Sequence, residues 1–206
     1  ELADLRAKLD QARRDNAALA AAKVHVDQND AAAAAAAIEK SNASEEVKQS
    51  AAALVAQGNA AQGKKDWATA VPLYRQATQK DPASTDAWNN LAYCLGEGRS
   101  AETNWREQED AYRRVIDLNP NHVIAHINLG ILLKDHKKDI AGAEEQYRLA
   151  IKIDPKNAVV HWNLSTLLEE RGNLRGAIDA VKGYIAAGNP DNDGEQRLAG
   201  LESKIS

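Results

Sequence analysis

The sequence predicts an all-α solenoid built from stacked helix–turn–helix units, and three observations lead there. Asp81-Pro82, Asn119-Pro120, Asp154-Pro155 and a weaker Asn189-Pro190 recur at spacings of 38, 35 and 35 residues. Ahead of each proline lie two amphipathic helical patterns. In the clearest copy these are Leu129, Leu132 and Leu133, then Ala143, Tyr147, Ala150 and Ile151. Proline ends the second helix because it cannot donate a backbone hydrogen bond. No stretch alternates with strand period. Such a helix pair cannot bury its apolar stripe alone, so it needs neighbours of the same shape.

Residues 1 to about 27 carry a heptad seam: Leu2, Leu5, Leu9, Ala12, Asn16, Leu19, Lys23 and Val26. Leu2, Leu5, Leu9, Asn16 and Leu19 are the candidate oligomerisation residues, with Asn16 at an a position where a buried amide fixes register. The stretch spans under four heptads and mixes attractive and repulsive charge pairs. A second reading therefore stands beside self-association, in which one amphipathic helix packs on another protein or on the repeats. Ala31 to Ala37 continue a helix, since alanine has the highest propensity. Ser41-Asn42-Ala43-Ser44 reads as a break, with Asn42 or Ser44 capping the next helix. This divides the chain into a helical arm at 1–43 and a repeat domain at 44–206. The repeats run at about 45–82, 83–120, 121–155 and 156–190. The stretch 191–206, with Leu198, Leu201 and Ile205 at helical spacing, forms a capping helix.

Within the repeats, small residues recur at Gly58, Ala92, Gly130 and Ser165, and opposite them at Ala70, Ala143 and Ala177. Four residues later stand Tyr74, Tyr112 and Tyr147, with Val181 in the last copy. Ala77 and Ala150 precede the closing turn, where the other copies have Val115 and Tyr184. In these positions the sequence resembles the tetratricopeptide repeat family. Two copies depart from the pattern. The second has Gln108 in place of the alanine and about four extra residues near 96–100, which predicts a longer loop and a looser crossing. The third has one extra residue within 134–138. Insertions in stacked repeats fall in loops.

Composition narrows the function. A net charge of −4 gives no support to nucleic-acid binding. No run of 18 apolar residues is free of charges, so no membrane insertion is expected. Compartment is read only by default, as soluble and cytoplasmic. The chain opens at Glu1 without Met, which leaves a longer parent protein open. Cys94 is a lone cysteine, read as a buried structural thiol. His122 and His126 stand one helical turn apart, but two ligands do not complete a zinc site. His126 and His161 share the repeat position of Trp88. No catalytic residue, metal or cofactor is expected, and the chain is read as a non-enzyme.

The resemblance implies a right-handed superhelix whose concave face is lined by the first helix of each pair. Carried over by position, the peptide-binding candidates are Asn59, Asn90, Tyr93, Ile127, Asn128, Ile131, Trp162 and Asn163. Asn90, Asn128 and Asn163 form an asparagine ladder, as in the repeat arm of O-linked glucosaminyl transferases. A side-chain amide can pair with peptide backbone whatever its sequence; alternatively it can bond the adjacent repeat. Ile127, Ile131 and Trp162 are expected on the water-facing side, with Trp162 as an anchor. Chaperone-binding members of the family hold a carboxylate with two asparagines and three cations. Asn59 and Asn90 match the asparagines, but the cationic positions hold Val55, Ile124 and Asn128, so this mode is not expected. The expected function is a non-catalytic adaptor that binds a peptide in the groove, its arm oligomerising or anchoring it. The alternatives are a permanently assembled structural subunit or a regulatory fragment of a larger enzyme.

Overall fold

The computed structural model describes residues 31–98, 104–188 and 193–205, and among these it contains nine helices and no strand. They are α1 (Ala31–Gly63), α2 (Trp67–Lys80), α3 (Thr85–Glu97), α4 (Asn104–Leu118), α5 (Val123–Leu132), α6 (Ile140–Ile153), α7 (Ala158–Glu170), α8 (Leu174–Ala186) and α9 (Asp193–Glu202). Four consecutive pairs, α1–α2 to α7–α8, stack in chain order, and α9 packs on α8. The candidate oligomerisation residues Leu2, Leu5, Leu9, Asn16 and Leu19 lie outside the described residues.

One expectation is corrected at the start of the array. Helix α1 passes through Ser41–Ser44 without interruption, so no new helix begins after Asn42 or Ser44. Serine and asparagine cost only a few tenths of a kcal/mol against alanine inside a helix. Two or three of them between alanine-rich segments do not stop propagation.

The three Asx-Pro junctions among the described residues are built the same way, while Asn189-Pro190 lies outside them. The side chains of Asp81, Asn119 and Asp154 accept from the backbone N–H two residues on, at 3.0, 3.1 and 3.2 Å. This Asx turn redirects the chain after the helix. The proline carbonyl that follows then accepts a ring N–H six residues later. Trp88 Nε1 donates to Pro82 O at 3.0 Å, and the Nε2 atoms of His126 and His161 lie 2.9 Å from Pro120 O and Pro155 O. Tryptophan and histidine are interchangeable here because both place an N–H donor over that carbonyl. Next, Ser84, His122 and Asn157 cap the first helices, each accepting from the N–H three residues on. His122 uses Nδ1 for this, so it does not converge with His126 on a metal. No group of three or more potential metal ligands occurs among the described residues.

The core follows the repeated small and aromatic positions. Ala70, Ala143 and Ala177 are fully buried, as are Ala77, Val115 and Ala150, and Tyr74, Tyr112 and Tyr147 lie between helices almost without exposure. A Cβ built on Gly58 would lie 2.7 Å from the Tyr74 ring, and one on Gly130 would lie 2.5 Å from the Tyr147 ring. Glycine is therefore what lets the tyrosine seat against the partner helix. In the second repeat, Gln108 replaces the alanine and its amide fills the space above Gly96.

The irregularities sit where the insertions are. The connection between α3 and α4 takes six residues, against three between α1 and α2 and three between α7 and α8. The extra residue of the third repeat is absorbed inside the helix, as a π-turn at Leu133–Lys137 that continues α5. It is thus a bulge in the helix rather than a longer loop. The turn that follows needs a left-handed residue before the next cap. Lys65, Lys138 and Gly172 occupy that position, with φ of 57°, 56° and 74°. Because a side chain is strained there, Lys138→Gly should raise stability by about 1 kcal/mol. Urea unfolding of the two proteins checks this, and no gain would show that the turn relaxes around its lysine.

Candidate peptide-binding groove

The groove candidates fall into three groups along the array. At the first junction, Tyr74 from α2 places its hydroxyl 2.7 Å from Asn59 Oδ1 and 2.6 Å from Gln62 Oε1. Asn90 Nδ2 donates to the same Asn59 oxygen at 3.2 Å. At the second junction, Asn128 Nδ2 donates to the Tyr112 hydroxyl at 3.0 Å. Burial pushes the phenols of Tyr74 and Tyr112 up to about 12, so both stay neutral. Two rungs of the asparagine ladder thus bond the preceding repeat. The third differs: Asn163 is half-buried and makes no hydrogen bond among the described residues.

Tyr93, Asn128 and Ile131 line one cavity of about 310 Å³, with Glu97, Gln108, Tyr112, Asp135 and His136. Tyr93 is 41% exposed, and its ring meets Trp67 edge-on at 6.2 Å. His136 lies flat on Trp105, centroids 5.8 Å apart, and the Arg106 guanidinium lies over the same indole.

Two sequence expectations change. Ile127 does not face water; it is 3% exposed and packs in the core. The open apolar positions of the helices α5 and α7 are Ile124, Ile131 and Val159, 50%, 36% and 59% exposed, and Ile124 and Val159 correspond to each other in successive repeats. Ile124, Asn128 and Ile131 follow i, i+4, i+7 spacing along one face, while Ile127 is turned about 100° from Asn128 around the helix axis, toward the interior. Trp162 is half-buried rather than open. Its ring lies 5.0 Å from that of Tyr184, and the guanidinium of Arg197, from α9, sits 4.7 Å above it. Arg197 also bonds Thr166 and Glu169, and Lys204 bonds Glu169 at 2.7 Å. Lys204, then Arg197, hold the Glu169 carboxyl below its usual range. The stabilisation from these pairs is present above the ordinary carboxylate range and fades as pH falls through the lowered value.

Sequence reasoning assigned no site role to Glu97, Asp135 or Glu170, reading Glu170 as part of a solvated helix face. Each stands seven residues after a ladder asparagine, Asn90, Asn128 or Asn163, and so two turns along the same face. Cys94 is buried beside Gln62, and burial raises its thiol to about 11, which suits packing rather than nucleophilic chemistry.

Helix pairs with this register, small residues at each crossing and a terminal capping helix define a repeat scaffold for protein–protein interaction. A family model for the tetratricopeptide repeat matches residues 55–102 and 99–158, together just over half of the chain. The chain belongs to the tetratricopeptide repeat family. Comparison with curated proteins gives no match. Among solved structures it is similar to MamA from Desulfovibrio magneticus RS-1, at 14% identity and a TM-score of 0.65, over 75% of this chain and 85% of that one. It is also similar to PilF of Pseudomonas aeruginosa, at 18% identity and a TM-score of 0.63, over 79% and 71%. The first repeat domain of Spaghetti (RPAP3), bound to the HSP90 peptide SRMEEVD, aligns at 17% identity and a TM-score of 0.56, over 61% and 95%. These likenesses concern the fold, which is a non-enzymatic interaction fold. No helix among the described residues is long and apolar enough to cross a membrane.

Proposed function

We propose that this protein is a non-catalytic adaptor that binds an extended peptide segment along the first-helix face of its repeats. On this reading, residues 1–43 oligomerise or anchor it. The observation that carries the reading is one face on which amides and open apolar side chains alternate: Asn90 and Tyr93 on α3, Ile124, Asn128 and Ile131 on α5, Val159 and Asn163 on α7. Amides suit a peptide backbone, and exposed apolar side chains beside them suit its side chains. The HSP90-type acidic tail of the RPAP3 neighbour is a poor guide to the ligand, because Val55, Ile124 and Asn128 supply no cation for a carboxylate.

Selecting a phage-displayed random peptide library on the full chain tests the groove. Val159→Asp and Asn163→Ala should each weaken the selected peptides about tenfold while leaving thermal unfolding unchanged, since neither side chain holds the repeats together. Loss of stability with binding intact would instead favour the structural-subunit reading. For the arm, the full chain should sediment as a dimer and a chain beginning at Ser44 as a monomer. Equal masses would remove the oligomerisation role.

A further inference from the structure

Histidine in place of tryptophan over the proline carbonyl brings a second ring nitrogen into the interior. Trp88 has no such atom, only the Nε1–H that it gives to Pro82 O. In the third repeat the Gln146 amide takes up the added nitrogen, meeting His126 Nδ1 at 2.8 Å. In the fourth, His161 Nε2 engages Pro155 O in the same way, but Nδ1 is buried and has no hydrogen-bond partner among the described residues. The reason lies on the facing helix. Gln146 immediately precedes Tyr147, and the residue that immediately precedes Val181 is Ala180. The last repeat therefore lacks the amide, and Gly183, which faces Nδ1, has no side chain to replace it.

A cavity adjoins this gap. It encloses about 210 Å³ between α6, α7 and α8, and both His161 and Ala180 line it. One water needs only about 10–15 Å³ of such space, so the cavity admits a group larger than water. Ile151 and Leu168 give it apolar walls, while Arg148 and Asp179 are charged groups in its lining. Arg148 spends Nε and Nη2 on Glu144, which leaves Nη1 for another acceptor. The lining thus combines two acceptors, a ring nitrogen and a carboxylate, with one guanidinium donor.

We propose that this cavity is a socket for a primary carboxamide, the side-chain group of a glutamine or asparagine presented by a protein partner. One N–H supplies the donor that His161 Nδ1 lacks, the other serves Asp179, and the carbonyl accepts from Arg148. Nδ1 is shut off from bulk water, so a donor delivered there does not compete with solvent. A carboxylate would set its charge against Asp179 and bring no donor to the ring. An ammonium would bring a donor but no acceptor for Arg148. The socket shares no residue with the Tyr93–Asn128–Ile131 cavity, so this inference stands apart from the peptide-binding reading above.

The test uses the full chain with ¹⁵N-labelled histidine side chains and propionamide as the probe. The Nδ1 resonance of His161 should shift saturably as propionamide is added, while those of His122 and His126 stay in place. Butanone has the same shape with a methyl group instead of the NH₂, and should bind about tenfold more weakly, the loss expected from one buried hydrogen bond. Ala180→Gln should move the Nδ1 resonance with no probe present and abolish the response to propionamide. Ala180→Leu, which fills the space without an amide, should abolish the response without reproducing that shift. Circular dichroism verifies that both variants fold; if either does not, the comparison of propionamide with butanone on the parent chain decides alone. Equal affinities for the two probes would overturn the proposal and leave an apolar void. So would a His161 Nδ1 that does not respond to propionamide.

Discussion

Replacing Ala143 with tryptophan should lower the stability of the array by about 3 kcal/mol, the upper part of the usual overpacking range or beyond it. Ala143 has no exposure and stands one helical turn before Tyr147, whose ring already lies against the bare backbone of Gly130. An indole there has no flexible neighbour to push aside: on one side is the facing helix, on the other the aromatic ring. Helices α5 and α6 would have to separate. Because each repeat couples to its neighbours, the junctions toward Tyr112 and toward Leu164 would loosen with them. Thermal and urea unfolding of Ala143→Trp beside Ala141→Trp, where the native side chain is exposed, would measure the effect against an outward control. Equal midpoints for the two variants would mean that the repeat register assigned to α6 is wrong.

The register was readable because it is written several times. Asx-Pro, the small residue and the tyrosine recur together, and each has a local physical cause: an Asx turn, a close helix crossing and a ring that fills it. Even the equivalence of Trp88, His126 and His161 was visible, although the proline carbonyl that explains it was not. What repetition does not encode was lost. One residue of helical rotation separates the buried Ile127 from the groove residue Asn128, and hydrophobicity alone cannot distinguish Ile127 from the open Ile124. Nor did the inserted residue of the third repeat announce that it would become a π-turn. The helix through Ser41–Ser44 was missed because polar residues that favour caps also survive inside a strongly helical context. Glu97, Asp135 and Glu170 were in plain view at a constant spacing from the ladder, but charges on helices usually mean only solvent.

Trp162→Ala should cost about 2–3 kcal/mol and release α9, a different outcome from that of an open groove anchor. The indole is held between the Tyr184 ring and the Arg197 guanidinium. An aromatic pair contributes about 0.5–1.5 kcal/mol beyond area, and a partly desolvated cation over an indole about 1–2. Truncation also strips cover from Arg197, whose Nε is buried without a partner and whose outer nitrogen reaches Thr166 and Glu169. These contacts join α9 to α7, so the loss should be concentrated at the end of the array rather than spread through it. Amide exchange should quicken in α9 first, and trypsin should reach Arg197 and Lys204 before the sites in α4 and α6. Arg197→Met keeps much of the aliphatic cover but removes the cation, and should produce the same local release at a smaller cost. The decisive comparison is with peptide binding in the Tyr93–Asn128–Ile131 cavity, to which Trp162 does not contribute. That binding should survive Trp162→Ala at temperatures where the repeats remain folded. If binding vanished while α9 protection and the unfolding midpoint stayed unchanged, Trp162 would be the open anchor after all, and the groove would centre on the last repeat.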